Sequence, residues 1–115
     1  MTVVAAVLQV LLGLVFLASG GTKLAGTRQQ VADYGRYHYP SGTRQLTGAV
    51  EVVAAVGMFA GLAYAPFAVA AGALIVVDML FAVYTHVVRV GDPTPRLVAP
   101  LLLATLALVV VAIRI

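Results

Sequence analysis

Residues 47–56 read Thr-Gly-Ala-Val-Glu-Val-Val-Ala-Ala-Val. One carboxylate, Glu51, stands in the middle of an apolar run. On a soluble helix it would face water and mean little. The rest of the chain changes that reading. Of 115 residues, 63% are hydrophobic and 10% charged, and the mean hydropathy is +1.08. Soluble domains carry about 25% charged residues. The apolar excess runs along the whole chain, which points to one membrane domain spanning 1–115.

Four apolar segments follow from the pattern: 3–25, 43–63, 66–88 and 97–113. A bilayer core takes about 20 residues of helix. Lipid offers no partner for backbone N–H and C=O groups, so the segments are expected as helices. The predicted fold is all-α, a polytopic four-transmembrane-helix bundle. Residues 61–66, Gly-Leu-Ala-Tyr-Ala-Pro, read as a tight turn with Pro66 in a first helical turn. Residues 91–95 read as another. The longer connection at 26–42 has Val31, Tyr34, Tyr37 and His38 at helical spacing. That face is expected to lie along the membrane interface. The first segment lacks a positive stretch ahead of it and is long, so a span is expected there, not a cleaved leader.

Cysteine is absent. That excludes disulfides, thiolate catalysis and Cys-ligated metal. The net charge of +3 does not point to nucleic acid, because the cations are spread over short connections. Lys23, Arg28, Arg36, Arg44, Arg89 and Arg96 flank the first and third connections, and Arg114 alone lies at the other side. The bias predicts cytoplasmic first and third connections and both termini outside.

Ionisable residues within spans are expensive and normally face the bundle interior. Glu51 lies about 12 Å into the second segment and Asp78 about 15 Å from the end of the third, at 1.5 Å per residue. Lys23 closes the first segment, and His86 sits nearer the boundary than Asp78. These groups share one half of the membrane. Lys23 is expected near Glu51, with Asp78 deeper and His86 at the mouth. A structural clasp between Lys23 and Glu51 accounts for those two equally well. The His and carboxylate spacing matches no metal motif. Gln9, near the other face, is expected to bond across helices.

The chain resembles the DoxX-like family of small bacterial membrane proteins, related to DoxX and DoxD. The resemblance rests on Ser19-Gly20-Gly21-Thr22-Lys23-Leu24, on Tyr34-Gly35 and Tyr39-Pro40, on Gly48-Ala49-Val50-Glu51, and on Met79, Ala82 and His86. It implies a four-helix bundle in the bacterial inner membrane. It also implies association with oxidoreductase systems, since some members are subunits of a thiosulfate:quinone oxidoreductase. No flavin or haem motif is present, so a quinone or a soluble oxidoreductase partner would have to carry electrons.

The leading expectation is therefore a membrane subunit that binds a quinone or similar lipophilic molecule. Glu51, Asp78 and His86 are the candidate catalytic residues, and Lys23, Tyr34 and Tyr84 the candidate binding residues. One alternative is an acid–base enzyme, an isomerase or epoxide-opening activity, using the same carboxyls without redox chemistry. The other is a non-catalytic assembly or anchor subunit. Homo-oligomerisation is left open by the sequence.

Overall fold

A computed structural model describes the whole chain, Met1–Ile115. It is all-helical: α1 Thr2–Ala25, α2 Arg28–Tyr37, α3 Thr43–Ala60, α4 Ala65–Tyr84 and α5 Val98–Arg114. α4 runs on into a π-helical segment, Thr85–Val90, and a short 3-10 turn, Thr94–Leu97, precedes α5. The expected four helices are thus five, because the first connection forms α2. Three stretches are long and apolar enough to cross a membrane: Thr2–Ala25, Ala65–Val90 and Thr94–Arg114. α3 has 18 residues, Arg44 and Glu51 among them. It ends three residues before the expected Ala63, because Gly61–Ala63 close a turn through Leu62 N–H to Phe59 O and Ala63 N–H to Ala60 O.

Local chemistry sets the boundaries. α1 ends where Gly26 turns left-handed, φ 71°, with its N–H on Thr22 O, a conformation that costs glycine nothing. Thr27 caps α2 by accepting from Gln30 N–H. Pro66 lies in the first turn of α4, where its missing N–H has no helical partner to lose.

α1 packs chiefly on α3 and α4 chiefly on α5; contacts of α3 with α4 and of α1 with α5 close a ring. The core is rich in alanine: Ala54, Ala55, Ala68, Ala71, Ala104 and Ala107 surround Leu12, Phe16, Met58 and Ile75. Small side chains let helix backbones approach closely, which substitutes for the hydrophobic driving force that lipid does not supply. Only 23 of 115 residues are buried, and Val3, Val7, Leu11, Leu14, Val53, Val56, Leu101 and Leu108 lie exposed on the outer faces. Such a surface suits acyl chains, not water.

One close approach of α1 and α3 lies beside Glu51. A Cβ placed on Gly48 would come 2.8 Å from Lys23 Cβ and 2.9 Å from the Gly20 carbonyl oxygen. Gly21, one residue along, has nothing within 4 Å. Gly48→Ala is therefore expected to destabilise the fold by about 1–3 kcal/mol through overpacking. Gly21→Ala is expected to be neutral or stabilising, since alanine is the better helix former. Unfolding in dodecyl sulfate followed by circular dichroism separates the two. Equal stability of both variants would refute the close-packed α1–α3 contact.

Candidate functional site

The C-terminal ends of α1 and α4 meet the N-terminal ends of α3 and α5 at one end of the ring. There they enclose a cavity of about 230 Å³. Ser19 and Lys23 reach it from α1, Thr47 and Glu51 from α3, and Asp78, Met79, Phe81 and Ala82 from α4. Thr85 and His86 come from the π segment, and Ala99, Pro100 and Leu103 from α5. α2 lies across the opening and contributes Gln30, Asp33, Tyr34 and Tyr37.

The deep wall is ionic. Lys23 Nζ lies 2.9 Å from Glu51 Oε1. Ser19 Oγ donates to the same oxygen at 2.7 Å, and Lys23 Nζ donates to Ser19 Oγ at 2.7 Å. The three groups form a closed triangle. Glu51 is only 3% exposed. α1 supplies both partners because Ser19 and Lys23 are four residues apart on one helix face. Asp78 is also buried, and no hydrogen-bond partner reaches its Oδ2. Lys23 is paired with Glu51, and Asp78 lines the same cavity.

The outer wall is aromatic. Tyr34 and Tyr37 meet edge to face at 5.0 Å. Tyr39 stacks on Phe81 at 5.1 Å. Burial pushes the Tyr34 phenol up to about 12, against an opposing contact with Thr47, so Tyr34 keeps its O–H donor at any ordinary pH. Burial also raises Tyr37. Thr85 Oγ1 donates to Phe81 O at 2.9 Å and lies 2.6 Å from Tyr39 Oη. Its one proton is spent on Phe81, so Tyr39 is the donor in that second bond.

At the mouth, His86 Nδ1 lies 2.7 Å from Asp92 Oδ2, and Arg36 Nη1 lies 3.1 Å from Asp92 Oδ1. The Arg36 hydrogen bond, then that of His86, holds Asp92 down to about 2, so it is a carboxylate at any ordinary pH. Arg89 donates to Tyr37 O and His38 O, and stands 4.2 Å over the Tyr39 ring. Arg44 donates to Lys23 O. Four of the six cations that flank the first and third connections, Lys23, Arg36, Arg44 and Arg89, also hold this end together.

The structure brings Lys23, Tyr34, Glu51, Asp78 and His86 to one cavity, with Lys23 on Glu51 and His86 toward the mouth. Tyr84 is not among them: it is 46% exposed and lies outside the cavity lining. The four residues expected on one face of the first connection are divided. Tyr34 and Tyr37 turn inward with Gln30 and Asp33, while Val31 and His38 are exposed. A polar cavity lies beneath α2, so its polar face points in. Gln9 does bond across helices, donating to Met58 O at 3.0 Å and accepting from Arg114 Nε at 2.7 Å. Sequence reasoning missed Ser19 as a ligand of Glu51, and missed Asp92 and Arg36 at the mouth. Ser19 was readable from its spacing to Lys23. Asp92 sits between Gly91 and Pro93, where an Asp reads as turn chemistry.

The model of the DoxX-like family matches residues 7–110. The chain belongs to the DoxX-like family. It is also 34% identical over 82 residues to the uncharacterized protein YdgD of Bacillus subtilis (strain 168), covering 71% of this chain and 72% of that protein. No solved structure matches. In this DoxX-like protein, two of the matched segments, Ser19–Leu24 and Gly48–Glu51, are the two sides of the buried triangle.

Removing one partner of a buried pair leaves an uncompensated charge and costs about 3–5 kcal/mol. Lys23→Met is expected to destabilise by roughly that amount. Adding Glu51→Gln is expected to restore most of it, because the stranded charge is then gone. The same dodecyl sulfate titration reads both. Strict additivity of the two losses would show that the pair does not hold the helices.

Proposed function

We propose that this DoxX-like protein spans the membrane four times, with α3 as the fourth span, and holds the head of a quinone in the cavity. α3 stands in the ring between α1 and α4, so its polar face meets protein while Val53 and Val56 are left outside. At about 27 Å for 18 residues it nearly matches a hydrocarbon core of about 30 Å. The cation bias supports a cytoplasmic cavity end with both termini outside. Cysteines introduced at Ala32 and Ile115, in a chain that has none of its own, should react with an impermeant maleimide from opposite faces of the membrane. Reaction from the same face would remove the four-span reading.

The observation that carries the ligand reading is Asp78 Oδ2, buried without a partner beside an ion pair that already balances Glu51. Lys23 neutralises one carboxylate. A second bare charge at that depth is costly, so we take Asp78 to hold a proton. Asp78 and Tyr34 then present O–H donors to the cavity, with Phe81 and Leu103 as apolar walls. A quinone matches this lining, with carbonyl oxygens for the donors and a flat ring for the aromatic wall. A volume of about 230 Å³ lies below the roughly 300–1,000 Å³ of drug-sized sites, so it takes a head group and not a whole isoprenoid chain. When bound, a quinone would accept two electrons from a partner and two protons. Asp78 is the residue placed to give one of those protons, and Lys23 and Ser19 bind Glu51 beside it.

Native mass spectrometry of gently extracted protein, with its lipid extract analysed in parallel, tests the reading. A quinone should accompany the wild type. Asp78→Leu should reduce its occupancy about tenfold, the worth of one good hydrogen bond. Asp78→Asn keeps a donor and should retain the ligand while losing a transferable proton. A wild-type protein that carries no isoprenoid but retains a soluble partner in every variant would identify an assembly subunit instead.

A further inference from the structure

His86 occupies two structures at once. Its ring lines the cavity, and its Nδ1 is spent on Asp92. Asp92 in turn binds Arg36 on α2 through both oxygens, at 3.1 and 3.5 Å. We propose that Asp92 is a positioning residue that fixes His86 as a hydrogen-bond acceptor toward the cavity and, through Arg36, ties α2 over it, so that the site reads a hydroxyl group on its ligand.

The chemistry follows from the contacts. A carboxylate only accepts hydrogen bonds, so the hydrogen between Asp92 Oδ2 and His86 belongs to Nδ1. In the neutral ring Nε2 then carries the lone pair. A lone pair accepts from O–H and repels C=O. Elsewhere in the lining the Tyr34 hydroxyl offers a donor. The cavity therefore has a donor side and an acceptor side, and suits a ligand with one oxygen of each kind. Within the quinone reading, on which this part rests, the oxygen beside His86 is the hydroxyl of the reduced form.

The backbone builds the same arrangement. After Thr85 the helix closes in π turns, one residue wider than α turns. Gly91 then turns left-handed, φ 71°, and Asp92 N–H bonds back to His86 O at 2.7 Å. Main chain and side chain of Asp92 both return to His86. α2 has no fully buried residue, so its seat depends on such polar ties. The bounds of the α2 connection, Gly26 and Gly42, both have positive φ.

Nitrogen-15 spectra of histidine in detergent micelles, in a His38→Asn background to leave one ring, report the tautomer without any ligand. Wild type should show hydrogen on Nδ1 and a bare Nε2. Asp92→Asn should shift the population toward hydrogen on Nε2. Spin labels at Ala32→Cys and Thr94→Cys should give one narrow distance in wild type and an added longer population in Asp92→Asn. Arg36→Gln should broaden the distance and leave the tautomer unchanged, which also shows that the tautomer shift is not general unfolding. An unchanged tautomer in Asp92→Asn, or an unchanged distance in Arg36→Gln, overturns the proposal.

Binding of decylubiquinol and decylubiquinone is then compared. Wild type should prefer the quinol about tenfold, and Asp92→Asn should lose that preference. An equal affinity for both in wild type overturns the hydroxyl reading. If neither binds while tautomer and distance respond as expected, the quinone reading falls and the Asp92 coupling stands.

Discussion

The triangle of Lys23, Ser19 and Glu51 is the constraint on which the rest depends. A carboxylate buried inside the bundle is tolerable only with a cation and a donor in contact. Both come from one face of α1, so α1 must lie directly on α3. Gly20 and Gly48 allow that approach. With α1 and α3 fixed, α4 and α5 complete the ring, and the helix ends that converge there leave a polar cavity instead of a packed core. The energy of the ion pair thus sets the position of the site.

Much of this was legible. An acid in an apolar run has few explanations in a membrane, so Glu51 and Asp78 pointed inward from the sequence alone, and Lys23 at the matching depth was the natural counter-charge. The helix boundaries followed glycine and proline closely. The remainder failed for identifiable reasons. Val31, Tyr34, Tyr37 and His38 were grouped on one face by helical spacing, but α2 covers a polar cavity, so the two tyrosines turn inward while Val31 and His38 stay exposed. Tyr84 lies outside the cavity, and an α-helix carried past that point gives no hint of the π turns that follow. Asp92 was invisible because a Gly-Asp-Pro turn explains its own aspartate.

The two halves of the molecule differ in kind. At one end, side chains from five helices and the π segment meet around a space, and much of the cohesion comes from cations bound to carbonyls and carboxylates. At the other, Leu12, Phe16, Met58, Ile75 and Val110 are fully buried, and the only buried polar side chain, Gln9, has both its donor and acceptor ends satisfied. Rigid packing beside a loosely held helix is the usual division between scaffold and working region.

That filled half makes the cavity a blind well. A molecule that enters past α2 meets a floor of close-packed side chains and leaves by the way it came. Vectorial transfer through the protein would require dismantling the floor, with its Gln9 and Arg114 bonds. Traffic at this site is therefore one-sided: whatever is taken up, altered or held is exchanged with a single compartment or leaflet.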